Sequence, residues 1–196
     1  MIITLFGLFL AGSAAAGPAP ASSEAALAAA IASANAAVDD AARKDFETAS
    51  LSAKDSATFV LRLRADFNFL ASRVAARPGD QSAGEDLQNL EDRVRELDSQ
   101  LAGLDRDLQG LTPRAAALVA IKDRVSFLPN LIVAARNPLQ LIQRDAVIRD
   151  ADFRRAGLNS ELSRFVRALD HAAATAAKCL ESSEALKRAV DAAAGR

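Results

Sequence analysis

The chain has no tryptophan or tyrosine, and it has only one cysteine, one histidine and one methionine among its 196 residues. A single cysteine excludes an intramolecular disulfide, and Cys179 with His171 cannot complete a Cys/His zinc site. One histidine also leaves little material for acid–base catalysis. A formal net charge of −1 argues against a nucleic-acid partner bound through its phosphates. We therefore predict a protein that is not an enzyme and that carries no metal or other cofactor.

Strand signals are equally scarce, because few stretches alternate with a period of two residues and β-branched residues are sparse. Alanine dominates instead, with 46 residues, so the remaining bulky apolar side chains suffice for one modest core. Helical spacing recurs along most of the chain. The predicted fold class is all-α, an antiparallel helical bundle of five or six helices with a coiled-coil-like hairpin.

The N-terminal region resembles an export signal. No charged side chain precedes Glu24, and the apolar run Ile2–Leu10 is followed by Ala14-Ala15-Ala16, which fits an A-x-A cleavage site. We predict a signal peptide at residues 1–16, an Ala-rich N-terminal helix at 17–44 and a helical bundle domain at 45–196. The expected location is secreted or extracellular, with the cell wall possible, or periplasmic in a bacterium. An uncleaved anchor over Ile2–Ala21 is the alternative.

An apolar stripe marks the first long helix, because its members recur in alternating steps of three and four residues. A possible capping box at Ser52 and Asp55 predicts a break within this helix. Arg77-Pro78-Gly79 predicts its end. The stripe consists of Phe46, Ala49, Ala53, Ser56, Val60, Leu63, Phe67, Leu70 and Val74.

The next segment carries about four regular heptads, introduced by a possible capping box at Ser82 and Glu85. The short loop before it favours a hairpin in which this helix folds back on the preceding one. Oligomerisation through the same seam is the alternative. The seam residues are Leu87, Leu90, Val94, Leu97, Leu101, Leu104, Leu108 and Leu111.

Prolines and a glycine divide the remaining sequence. Thr112-Pro113 predicts a helix start, and that helix is expected to stop before Pro129. Asn137-Pro138 predicts another start. Arg155-Ala156-Gly157-Leu158 resembles a Schellman motif with a left-handed glycine, and the last helix is expected to begin near Asn159-Ser160. Between Arg144 and Asp170, arginines interleave with acidic residues, which predicts ion pairs on helix surfaces.

The segment Val125–Ala135 is apolar on both sides of its Pro-Asn pair, where links between helices are usually polar. Such a segment is either buried under another helix or forms an apolar patch that meets a ligand or a surface. We predict that any ligand is apolar and lies in an inter-helix cavity. The residues expected to line it are Phe59, Phe67, Phe127, Leu131 and Phe165.

The octapeptide Phe153–Ser160, followed by a long Ala-rich helix, resembles a motif of fungal secreted hydrophobic-surface-binding proteins and related cell-wall mannoproteins. The signal-like Met1–Ala16, with Gly-Pro-Ala-Pro-Ala after it, is similar to the N-terminus of that family. The resemblance implies an α-helical bundle that adsorbs to hydrophobic surfaces or binds lipid in an apolar cavity, without catalysis.

Two functions therefore remain open at the level of sequence. The first is a secreted, non-enzymatic helical protein that binds lipids or hydrophobic surfaces through an apolar cavity or patch. The second is a structural or scaffolding coiled-coil protein that oligomerises through Leu87–Leu111. The expected partner is an apolar ligand or hydrophobic surface in the first case, and a protein or a second copy in the other.

Overall fold

A computed structural model describes the backbone of residues 21–195 and the side chains of residues 25–195. Within this range the chain is helical and has no strand, which confirms the all-α prediction. The predicted signal peptide, residues 1–16, lies outside the described residues. The elements are α1 (Ala21–Ala76), α2 (Ala83–Leu111), a 3-10 helix (Thr112–Ile121), α3 (Lys122–Ile148), α4 (Asp150–Arg155) and α5 (Asn159–Ala194).

The chain divides between Ala37 and Val38 into two units. In the first unit, the described side chains from Ala25 to Ala37 are all exposed, including those of Leu27 and Ile31. Alanine has the highest helix propensity of any residue, so this stretch is helical without burying a face. The second unit contains the helical bundle.

Ion pairs show that α1 and α2 run antiparallel. Their partners have residue numbers that sum to the same value, as expected for two helices that run past each other in opposite directions. Two of these pairs have N–O distances of 2.8 Å and 2.6 Å. The predicted helical hairpin is therefore present. Asp66–Arg93 and Arg73–Asp86 join α1 to α2, and Asp45–Arg114 continues the series at the start of the 3-10 helix that follows α2.

The other two long helices run parallel to the first two. Glu47 pairs with Arg124, and Arg64 pairs with Asp145, so α3 follows the direction of α1. Side chains of α5 donate hydrogen bonds to α2, and the residue numbers rise together on the two helices, so α5 follows the direction of α2. The bonds run from Thr175 to Asp98, from Cys179 to Leu101 and from Ser182 to Asp105. Because α3 also packs against α5, the four helices form a square in the order α1, α2, α5, α3.

The 3-10 helix makes this arrangement possible. No Cα of α2 lies within 8 Å of a Cα of α3, since the two helices occupy diagonal corners. The segment Thr112–Ile121 contacts α2, α3 and α5, and it buries Leu118. A helix was predicted from Thr112-Pro113. The structure has a 3-10 crossover there, with a non-helical backbone at Arg114, and α3 begins only at Lys122.

The core matches the predicted patterns closely. Every member of the α1 stripe and all eight heptad residues are buried within the single chain. The rings of Phe67 and Phe165 stack with their centroids 5.2 Å apart, and the rings of Phe67 and Phe153 stack with their centroids 6.1 Å apart. This stack joins α1, α4 and α5 in the part of the core next to α4.

Three local predictions were wrong. Helix α1 continues through Ser52 and Asp55, because the buried stripe continues in phase on both sides. Helix α3 likewise continues through Pro129 and Pro138. A proline within a helix costs about 3 kcal/mol or more. Burial of Val125, Leu128, Ile132, Ala135, Leu139, Ile142 and Ala146 along one uninterrupted face offsets that cost.

The predicted capping box at Ser82 is also absent, since this hydroxyl makes no cap to α2. It donates instead to Asp80 at 2.9 Å and accepts a hydrogen bond from Arg73. The bonds that the hydroxyl and the backbone N–H of Ser82 donate to Asp80 are the main reason that the pKa of Asp80 is lowered, with the charge of Arg73 contributing. Polar bonding within the turn therefore takes the place of the cap.

The Schellman motif is confirmed. Gly157 has a φ of +74°, a conformation that glycine adopts without steric cost. Its N–H donates to the carbonyl of Arg154 at 3.0 Å, and the N–H of Leu158 donates to the carbonyl of Phe153 at 2.9 Å. Leu158 then folds back and comes close to Gly84 at the start of α2.

Candidate functional site

The five predicted ligand residues lie in different surroundings. Phe67 and Phe165 are fully buried in the aromatic stack. Phe59 is half-buried, with the guanidinium carbon of Arg93 5.3 Å from its ring centroid. Leu131 is partly buried against the core, whereas Phe127 is 57% exposed. Only Phe127 and Leu131 share a helix face near the surface.

Phe127 belongs to an exposed apolar row on α3. Phe127, Ala134, Leu141 and Ile148 follow one another at intervals of seven residues, which places them along one side of the helix. Ile148 is 64% exposed, Ala134 is exposed and Leu141 is half-buried. We call these four residues the α3 strip. At a rise of 1.5 Å per residue, the strip is about 31 Å long.

The strip lies on the shoulder of α3 that faces α1. Arg124 and Asp145 mark this shoulder, since each pairs with a residue of α1. Leu131 lies on the same shoulder, seven residues after Arg124. Leu61 of α1 lies between the two partner residues Glu47 and Arg64, and it is exposed. Apolar side chains therefore accompany the α1–α3 groove over most of its length.

The apolar segment Val125–Ala135 is thus buried on one face and exposed on another. Val125, Leu128 and Ile132 face the core, while Phe127 points to solvent and Leu131 lies between the two environments. One helix face fills the bundle and the neighbouring face remains available for contact. Single exposed apolar side chains are common, but a regular row of them is more typical of a contact surface.

Cys179 has the environment of a structural thiol. It is fully buried on α5, and its Sγ donates to the carbonyl oxygen of Leu101 at 3.0 Å. Burial, helped by the charge of Asp105, raises the pKa of the Cys179 thiol to about 12. A thiol that stays protonated at neutral pH is a poor nucleophile.

A second, polar groove lies between α2 and α5, and the sequence interpretation missed it. Glu91 at its floor is only 3% exposed. Arg95 of α2 and Arg164 of α5 bind the two carboxylate oxygens of Glu91. The groove has a volume of about 420 Å³ and is lined by Glu91, Arg95, Asp98, Arg164, Arg167, Ala168 and His171.

The spacing of residues in the sequence indicates part of the α3 strip and part of the groove around Glu91. The seven-residue interval of the α3 strip is visible in the sequence once Pro129 and Pro138 are accepted within one helix. Glu91 occupies an e position beside the heptad seam, where burial depends on the neighbouring helix. No local pattern could show that α5 packs there, because α5 lies far along the chain.

Among residues 25–195, no group of three or more His, Cys, Asp or Glu side chains is arranged to hold a metal ion. None of the described helices is long and apolar enough to cross a membrane. Comparison of the chain with protein-family models, curated proteins and solved structures finds no match.

Proposed function

We propose that this chain is a non-enzymatic, exported helical protein that binds lipids or hydrophobic surfaces through the α3 strip. The observation that carries the proposal is the exposure of Phe127 and Ile148 at the two ends of a regular apolar row. The opposite face of α3 is already buried in the core, so the bundle does not need the strip in order to fold. The apolar Ile2–Leu10 segment and the alanines after it support export.

A surface patch fits the structure better than the cavity that the sequence suggested. Phe67 and Phe165 pack against each other with no exposed surface, so an apolar ligand among them would have to displace a stacked pair. Well-packed cores resist such insertion, at a cost of about 1–3 kcal/mol for small additions and more for large ones. The strip can meet an apolar surface without any rearrangement of the bundle.

The resemblance of Phe153–Ser160 to hydrophobic-surface-binding proteins supports the same class of function. In this chain the motif forms the turn between α4 and α5, and its glycine supplies the Schellman stop. The motif therefore helps to set the direction of α5. It does not itself belong to the strip, so the contact surface is inferred from α3 alone.

The expected affinity follows from apolar area. Phe127 and Ile148 each present about 100 Å² to solvent, and removing this area from water contributes about 2–3 kcal/mol per side chain. Part of that energy is lost in ordering the interface. We expect each side chain to strengthen adsorption roughly tenfold.

The test is adsorption of the full chain to phosphatidylcholine vesicles and to octyl-coated beads. The variant F127S/I148S removes both ends of the strip and should weaken adsorption by about a hundredfold, because the two tenfold effects add in free energy. Circular dichroism should remain unchanged, because both side chains are already exposed.

The matched control is V147S. Val147 is 71% exposed and adjoins Ile148, but its side chain lies on the opposite shoulder of α3, in a groove shared with α5. This variant should adsorb as the parent chain does. Equal adsorption by all three proteins would contradict the proposal, and saturable fatty-acid binding that persists in F127S/I148S would place the site elsewhere.

A further inference from the structure

The polar groove between α2 and α5 carries more positive charge than its own carboxylates neutralise. Arg95, Arg164 and Arg167 face Glu91 and Asp98 within it, and His171 lies at one end. Glu91 binds both Arg95 and Arg164, while Asp98 accepts a hydrogen bond from Thr175 at 2.6 Å. Arg167 forms no ion pair with any residue from 25 to 195.

Glu91 acts as a fixed support for two guanidinium groups. A carboxylate that is 3% exposed is costly to bury unless it is paired, and here one cation comes from each wall of the groove. Arg164 uses its Nε, and Arg95 uses one terminal nitrogen. The other N–H groups of both side chains make no hydrogen bond to another described residue.

Arg167 completes the arrangement from the rim. Its Nε donates to the carbonyl of Ser163 at 3.2 Å, which fixes the direction of the guanidinium group. Its two terminal nitrogens make no hydrogen bond within the described part of the chain. Forked N–H donors of this kind match the oxygens of a phosphate group, which they bind with charge-assisted hydrogen bonds.

We infer that the α2–α5 groove is a binding site for a small soluble anion that carries a phosphate group, held by Arg95, Arg164 and Arg167 with His171 beside it. The site is independent of the α3 strip. In the square order of the helices, the α2–α5 side is opposite the α1–α3 side, so one flat surface cannot contact both. This geometry favours a free phosphate compound over a headgroup in the surface that the strip contacts.

The test is isothermal titration calorimetry of the full chain with inorganic phosphate at constant ionic strength. Saturable binding is expected in the parent chain, and R167Q should weaken it about tenfold or more, as loss of a charge-assisted contact does. The matched control is R188Q, which removes the same charge from an exposed α5 residue whose partner is Glu184. It should leave the affinity unchanged.

Two results would overturn the inference. One is an absence of saturable heat up to about 50 mM phosphate, far above a useful affinity. The other is an equal effect of R167Q and R188Q, which would indicate general charge attraction. The last experiment measures binding to vesicles that contain phosphatidic acid. Binding to them that depends on Arg167, without binding of free phosphate, would assign the groove to a lipid headgroup and refute a soluble ligand.

Discussion

Two stretches of α1 have the same secondary structure for different reasons. From Ala25 to Ala37 every side chain is exposed, and even Leu27 and Ile31 are more than half exposed. From Ala42 to Val74 one face is buried throughout, with Phe46, Leu63 and Phe67 in the core. The first stretch is helical because alanine favours the helix, and the second because its apolar face packs. Helix content alone therefore says little about stability in this chain.

The largest effect is expected when one leucine in each stretch is replaced by alanine. Leu63→Ala should lower the free energy of unfolding by about 2–5 kcal/mol, because it leaves a cavity beside the bundle core. Leu27→Ala should change it by less than about 0.5 kcal/mol, because Leu27 is 62% exposed. Urea denaturation followed by circular dichroism measures both. A Leu27→Ala cost close to that of Leu63→Ala would show that the N-terminal stretch packs in solution.

The second test enlarges an alanine in each stretch. Ala49 has no exposed surface, so Ala49→Leu should overpack the bundle and destabilise it by about 1–3 kcal/mol. Ala30 is exposed, and Ala30→Leu should leave the urea midpoint unchanged, since leucine is nearly as good a helix former as alanine. If Ala49→Leu were neutral, the space around α1 would be looser than the buried residues indicate.

The smallest effect is expected from Ala30→Gly. Glycine costs about 1 kcal/mol relative to alanine in a helix, and the first stretch has no packing to resist that cost. Amide hydrogen exchange should therefore accelerate around Ala30, while the urea midpoint of the bundle stays constant. A shift of the midpoint would instead couple the stretch to global unfolding.

Much of the fold was predictable because large apolar residues define faces. The stripe from Phe46 to Val74 and the seam from Leu87 to Leu111 are both buried as their spacing predicts. Gly157 was predictable because few residues other than glycine tolerate its backbone conformation. These signals are local, so a single sequence contains them.

The errors arose where packing overrides local preference. Pro129 and Pro138 normally end helices, yet the buried face of α3 continues through both. The sequence also could not place α5 beside α2, so the charged groove around Glu91 was invisible. The candidate ligand residues were chosen for their size, and size alone does not distinguish buried Phe67 from exposed Phe127.

The 3-10 crossover also has a kinetic consequence. It places α5 rather than α3 beside α2, so contacts such as Asp98 with Thr175 join residues 77 positions apart. The hairpin of α1 and α2 needs only a short turn between its helices, whereas closure of α2 on α5 must wait until the intervening chain is ordered or spanned. Because folding slows as contacting residues lie further apart in sequence, we expect this bundle to fold more slowly than a four-helix bundle in which the second helix packs against the third.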